Sequence, residues 1–98
     1  MPRSRSTDFS GKTAFITGAG SGIGRALSEL LAAEGCRLML SDIDEASLRE
    51  TARLLKDTGA AVETARLDVA DCAAVEALAA LSIDRFGQVD LVFNNAGV

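Results

Sequence analysis

The sequence predicts an α/β domain built on a parallel sheet with helices on both faces. Two observations carry that prediction. Short β-rich apolar runs alternate with segments of helical periodicity, in the order β-α-β-α-β-α-β, and strands that alternate with helices pair in parallel through right-handed crossovers. Glycines at 18, 20, 22 and 24 fill the junction between the first run and the first helix. A chain of 98 residues holds one domain at most. Its composition, 48% hydrophobic and 24% charged, is that of a globular protein rather than a disordered one.

Lys12–Thr17 is apolar on both faces, as a strand inside a parallel sheet must be. Ile23, Ala26, Leu27, Leu30 and Leu31 then recur at helical spacing, and Gly35 ends that helix. Cys36–Ser41 is the second strand, closed by Asp42. Asp44 is placed to cap the next helix, whose apolar face is Leu48, Ala52 and Leu55, and Gly59 ends it. Ala61–Leu67 alternates weakly and reads as a third, more exposed strand. Asp71 can cap a third helix with Val75, Leu78, Ala79 and Leu81 inside and Gly87 near its end. Val89–Phe93 is the fourth strand, and Asn94-Asn95-Ala96-Gly97 the turn after it. Residues 1–10, basic and serine-rich with no apolar stretch behind them, read as a disordered lead-in, and residues 11–98 as the domain.

The absences narrow the chemistry. Without histidine there is no Ser-His-Asp or Cys-His machinery and no His-ligated metal, and without tyrosine no phenolic acid. Neither a catalytic residue nor a metal ligand is assigned. The net charge is −4, and residues 13–98 carry seven basic against thirteen acidic side chains, so nucleic acid is not an expected partner. No apolar run reaches the ~18 residues of a membrane span, so no membrane association is expected. Cys36 and Cys72 lack CxxC spacing and read as a buried, reduced pair in a cytoplasmic protein.

Strand, glycine turn and helix together form the arrangement that holds a pyrophosphate. Gly18 makes the tight turn, Gly22 lets the backbone approach the phosphates, and Gly24 lets the helix pack close to the sheet. The helix N-terminus then offers free N–H groups and the positive end of its dipole. Asp42, eighteen positions beyond Gly24, stands near the ~20-residue spacing of a carboxylate that holds an adenosine ribose.

Thr17-Gly-Ala-Gly-Ser-Gly-Ile-Gly24 resembles the TGxxxGIG motif of the short-chain dehydrogenase/reductase family. Asp68-Val69 resembles the family's Asp-Val after the third strand, and Asn94-Asn95-Ala96-Gly97 its NNAG motif. The resemblance covers residues 9–98 and implies a partial Rossmann fold that ends after its fourth strand. It implies an NAD(P)-dependent oxidoreductase moving a hydride between a nicotinamide cofactor and an alcohol or carbonyl. Gly18, Ser21, Gly22, Ile23 and Gly24 would surround the pyrophosphate. Asp42 would hold the ribose, with Ile43 beside the adenine and Asp68 and Val69 in the adenine region. Asn94, Ala96 and Gly97 would lie along the nicotinamide-side ribose, with Asn94 also tying neighbouring strands together.

The family's catalytic Ser, Tyr and Lys lie beyond the NNAG turn. The chain therefore resembles the N-terminal, cofactor-binding half of such an enzyme, and a non-catalytic dinucleotide-binding or interaction module is the alternative. NAD is expected over NADP, because Asp42 would repel a 2′-phosphate and Ala19 and Ser21 stand where a base could answer it. The family is usually homo-oligomeric, and this chain alone is expected to self-associate through the exposed edge of its fourth strand.

Overall fold

The computed structural model describes residues 10–95. The elements follow the expected order: β1 (Thr13–Thr17), α1 (Gly22–Ala33), β2 (Arg37–Asp42), α2 (Glu45–Leu55), β3 (Val62–Arg66), α3 (Cys72–Phe86) and β4 (Leu91–Asn94). A single 3-10 turn at Lys56–Thr58 leads from α2 to Gly59, which adopts φ 79°. All strand pairs are parallel and the sheet order is β3-β2-β1-β4. The chain steps outward from β1 through β2 to β3, then returns to the far side of β1.

That reversal decides which face each helix covers. Crossovers between parallel strands are right-handed, so a change in direction along the sheet moves the connecting helix to the opposite face. One core accordingly lies under α1 and α2, where Ala14, Ile16, Leu38 and Leu40 meet Leu31, Leu48 and Leu55. The other lies under α3, where Phe15 and Met39 meet Leu67 and Leu78. The register explains the sorting. Ala14 is opposite Leu38, Phe15 opposite Met39 and Ile16 opposite Leu40, so alternate residues of paired strands face the same side. All five residues of β1 are buried, as its run of apolar residues requires.

Several expectations are corrected. The inner face of α1 is Gly24, Leu27, Ser28, Leu31 and Ala32, whereas Ile23 is 75% exposed, Leu30 is 59% exposed and Ala26 also faces outward. Gly24, Ser28 and Ala32 repeat every four residues and form a small-residue strip that lets the helix lie close to the sheet. Ser28 accepts burial because its Oγ donates to the Gly24 carbonyl at 2.8 Å. The same exchange occurs on α3, where Leu81 is 38% exposed and Ser82 is buried, its Oγ donating to the Leu78 carbonyl at 2.9 Å. On α2, the fully buried residue between Leu48 and Leu55 is Thr51. Cys36 is buried but Cys72 is exposed, so the two thiols do not form a buried pair.

β4 begins at Leu91 and includes Asn94, a shift from the expected Val89–Phe93. The cause is Asp90. Its N–H donates to the Thr13 carbonyl and its Oδ2 accepts the Thr13 N–H, both at 2.9 Å, so a side chain occupies the ladder position ahead of Leu91. The Thr13 N–H first, and then the Gln88 side-chain amide, hold the Asp90 carboxyl below the usual aspartate range. Val89 instead packs into the core under α3. Among the described residues β4 is an edge strand and Val92 is 65% exposed on it. No helix among them is long and apolar enough to cross a membrane. The lead-in through residue 9, and Ala96 and Gly97, lie outside the described residues.

Candidate functional site

The sheet reverses its strand order between β1 and β4, and the crevice above such a reversal, at the C-terminal ends of the strands, is where open α/β sheets take ligands. The glycine turn stands there. Gly18 turns out of β1 at φ 66°, and the Ala19 N–H still reaches the Ser41 carbonyl at 2.9 Å, extending the contact between β1 and β2 by one bond. A Cβ on Gly24 would collide with the Gly18 carbonyl, so only glycine lets α1 start this close to the strand it follows. Gly22 differs. It adopts φ 59°, and a Cβ there would meet nothing within 4 Å, so its backbone faces open space that a ligand can enter.

The start of α1 carries no internal cap. The first N–H groups of any helix lack partners within the helix. Asp44 answers those of α2 by accepting the Ser47 N–H at 3.2 Å, and Asp71 answers those of α3 by accepting the Ala74 N–H at 3.1 Å. Ser21, at the corresponding position of α1, makes no side-chain hydrogen bond, and no acidic residue stands in the first turn. The arrangement has the open donors, the dipole and the space that an anion needs.

Asp42 ends β2 beside this turn. Its Oδ2 accepts the Gly20 N–H at 2.8 Å and its Oδ1 accepts the Asp44 N–H at 2.9 Å. Ile43 follows with an exposed side chain. Asp68, beyond β3, accepts the Ala70 N–H at 3.0 Å and is exposed, and Val69 is half-buried. Asn94, ending β4, accepts a hydrogen bond from Thr17 Oγ1 at 3.1 Å. A groove of about 220 Å³ joins Ile23 and Leu27 of α1 to Phe93, Asn94 and Asn95. The predicted residues that are described thus follow the order of the strands along one sheet edge: Asp68 and Val69, then Asp42 and Ile43, then the glycine turn, then Asn94.

Four residues that shape the site were not singled out as site residues from sequence. Gly20 is one, since a Cβ there would lie 2.7 Å from Asp42 Oδ2 and 2.9 Å from Ser47 Cβ. Asn95 is another, its Nδ2 donating to the Gly18 carbonyl at 3.2 Å and clamping the turn from the β4 side. Arg25 and Thr51 are the others. Arg25 Nε donates to Thr51 Oγ1 at 2.9 Å, and its Nη2 donates to the Gly20 carbonyl and, at 3.2 Å, to that of Ser47. Thr51 Oγ1 donates in turn to the Ala19 carbonyl at 2.8 Å. One signal for Arg25 was present in the sequence: a cation early in a helix is unfavourable against the dipole unless something else holds it.

Fold and site together define a doubly wound α/β domain of the Rossmann type, with an anion-receptive glycine turn at its topological switch point. The chain belongs to the short-chain dehydrogenase family, whose profile, described as short chain dehydrogenase, matches residues 12–98. It is 50% identical over 92 residues to the protein named putative oxidoreductase SadH of Mycobacterium tuberculosis, covering 94% of this chain and 33% of that protein. It is 42% identical over 97 residues to levodione reductase of Leifsonia aquatica, covering 97% of this chain and 36% of the relative. Among solved structures, a short-chain dehydrogenase/reductase of Burkholderia phymatum in complex with NAD superposes with a TM-score of 0.88 at 51% identity. That match covers 92% of this chain and 32% of the other. The chain therefore spans about a third of the length of the relatives it matches. Members of this family bind a nicotinamide dinucleotide.

Proposed function

We propose that this chain forms the dinucleotide cradle of an NAD(H)-dependent oxidoreductase acting on an alcohol or carbonyl substrate. The observation that carries the reading is the uncapped start of α1, open at Gly22 and standing beside Asp42. The bound nicotinamide supplies or accepts the hydride. The chain's own residues bind and orient. The N–H groups at the start of α1, with Gly18, Ser21, Gly22, Ile23 and Gly24, take the pyrophosphate. Asp42 accepts a hydrogen bond from a ribose hydroxyl, Ile43 lies against the adenine, and Asp68 and Val69 flank it. Asn94 would lie along the nicotinamide-side ribose, the role that the family resemblance also gives to Ala96 and Gly97.

The preference for NAD over NADP follows from charge. A carboxylate and a 2′-phosphate ~4 Å apart repel by about 4 kcal/mol at an effective dielectric of 20, before salt screening. Arg25, one residue past the glycine turn, is turned inward onto Thr51 and the Gly20 and Ser47 carbonyls, which supports its not serving as a counter-charge for that phosphate. Cys36, buried, and Cys72, exposed, are not joined in a disulfide, which fits a reducing, cytoplasmic setting. The open edge of β4, with Val92 exposed, supports pairing with a further strand, in the same polypeptide or in a second copy. Calorimetric titration of the polypeptide carrying these residues with each dinucleotide tests the reading. NAD is expected to bind at least tenfold more tightly than NADP, a difference of about 1.4 kcal/mol. Equal or tighter binding of NADP overturns the preference, and binding of neither overturns the function.

A further inference from the structure

Asp42 does not hold its position alone. One of its carboxylate oxygens, Oδ2, accepts the Gly20 N–H at 2.8 Å. The carbonyl of that same peptide unit, the Ala19 oxygen, accepts from Thr51 Oγ1 at 2.8 Å on α2. Thr51 Oγ1 in turn accepts from Arg25 Nε at 2.9 Å on α1. A cation, a hydroxyl and one peptide are thus strung in a single line that ends on the carboxylate. Thr51 Oγ1 also lies 3.3 Å from the Ser47 carbonyl, and its shorter contact, to Ala19, continues the line toward Asp42. Hydrogen bonds arranged head to tail polarise one another, and the effect is stronger away from water. Thr51 is fully buried. A second branch from Arg25 Nη2 to the Gly20 and Ser47 carbonyls ties the turn to α2 as well.

We propose that Arg25 and Thr51 are positioning residues for dinucleotide selection: their relay orients the peptide between Ala19 and Gly20 and so sets the Asp42 carboxylate for the ribose hydroxyl. The proposal rests on the dinucleotide reading given above. Neither side chain needs to touch the ligand. With the relay intact, Asp42 presents a fixed acceptor, and a ribose hydroxyl meets it without ordering cost. With the relay cut, the Ala19–Gly20 peptide is free to rotate, Asp42 keeps only the Asp44 N–H on Oδ1, and the distinction between a 2′-hydroxyl and a 2′-phosphate weakens.

The test uses adenosine monophosphate and its 2′-phosphorylated counterpart, together with NAD and NADP, as calorimetric probes of wild type and of Thr51→Val, Thr51→Ser and Arg25→Lys. A urea midpoint is measured for each. Thr51→Val is expected to weaken NAD binding about tenfold while changing NADP binding by less than about twofold, the scale of one lost charge-assisted bond. Thr51→Ser restores the hydroxyl and is expected to return the NAD-to-NADP ratio to within about twofold of wild type. Arg25→Lys keeps the charge but cannot fork onto three oxygens, and is expected to lower the ratio about threefold. A purely structural role would shift the urea midpoint and leave the ratio alone. Where Thr51→Val does not fold, Thr51→Ser and Arg25→Lys decide the matter. An unchanged ratio in Arg25→Lys overturns the proposal while leaving the dinucleotide reading standing. A wild type that binds neither dinucleotide overturns both.

Discussion

The N-termini of α2 and α3 are finished by their own sequence, and that of α1 is not. Asp44 and Asp71 each accept a backbone N–H three residues on, which is how a helix start is normally satisfied in water or out of it. In α2 the pairing is reinforced, since Ser47 Oγ donates to Asp44 Oδ2 at 2.8 Å. In α1 the capping position is Ser21, whose side chain stays out of the helix, and the residues around it are glycines. The same backbone problem therefore has two solutions in one small domain. Two helices close themselves, and the one at the strand-order reversal keeps its first donors open, the feature on which the proposed cradle rests.

Three substitutions break or sharpen this contrast, in falling order of effect. Gly24→Ala places a methyl group against the Gly18 carbonyl, and neither backbone can yield without moving α1 off the sheet. Destabilisation of about 3 kcal/mol is expected, read as a lowered urea midpoint, together with loss of dinucleotide binding. Ser21→Asp converts α1 to the pattern of α2 and α3. It is expected to raise stability by about 1 kcal/mol and to weaken dinucleotide binding tenfold or more, because the new carboxylate occupies and repels the anion's place. Tighter binding in that variant would count against an anion at this terminus. Asp71→Ala is expected to cost about 1 kcal/mol and to leave the dissociation constant unchanged.

Asp44 adds a pH dependence of known sign. The Ser47 hydroxyl first, and then the Ser47 N–H, hold its carboxyl below the usual aspartate range. A carboxyl lowered in the folded state stabilises fully above its unfolded value, about pH 4, and loses that contribution as pH falls through the lowered native value. Urea midpoints are expected to drop between pH 7 and pH 3. Asp44→Asn is expected to show a smaller drop than wild type.

The fold was readable because its signals are local. Alternating apolar runs, aspartates ahead of helices and glycines after them are each set by backbone geometry within a few residues. Element order and the parallel sheet follow from them. The glycine turn was readable for the same reason, since Gly18 and Gly24 answer a strand and a helix that adjoin in sequence. The faces of the helices were harder to read. Ile23, Ala26 and Leu30 recur at helical spacing as well as Leu27 and Leu31 do, and periodicity alone does not say which stripe meets the sheet. The structure buries the stripe containing Gly24, Ser28 and Ala32, because small residues allow close approach and a serine can return its hydroxyl to its own helix.

Sequence by itself determined the strands, the helices, the open turn and the acid at the end of β2. Tertiary structure alone decided what holds that acid. Arg25, Thr51, Ala19, Gly20 and Asp42 span two helices, a turn and a strand, and no spacing rule links them. The physical reason is that hydrogen bonds between elements depend on how the helices dock, and the docking of α1 and α2 is settled by the packing of a shared core.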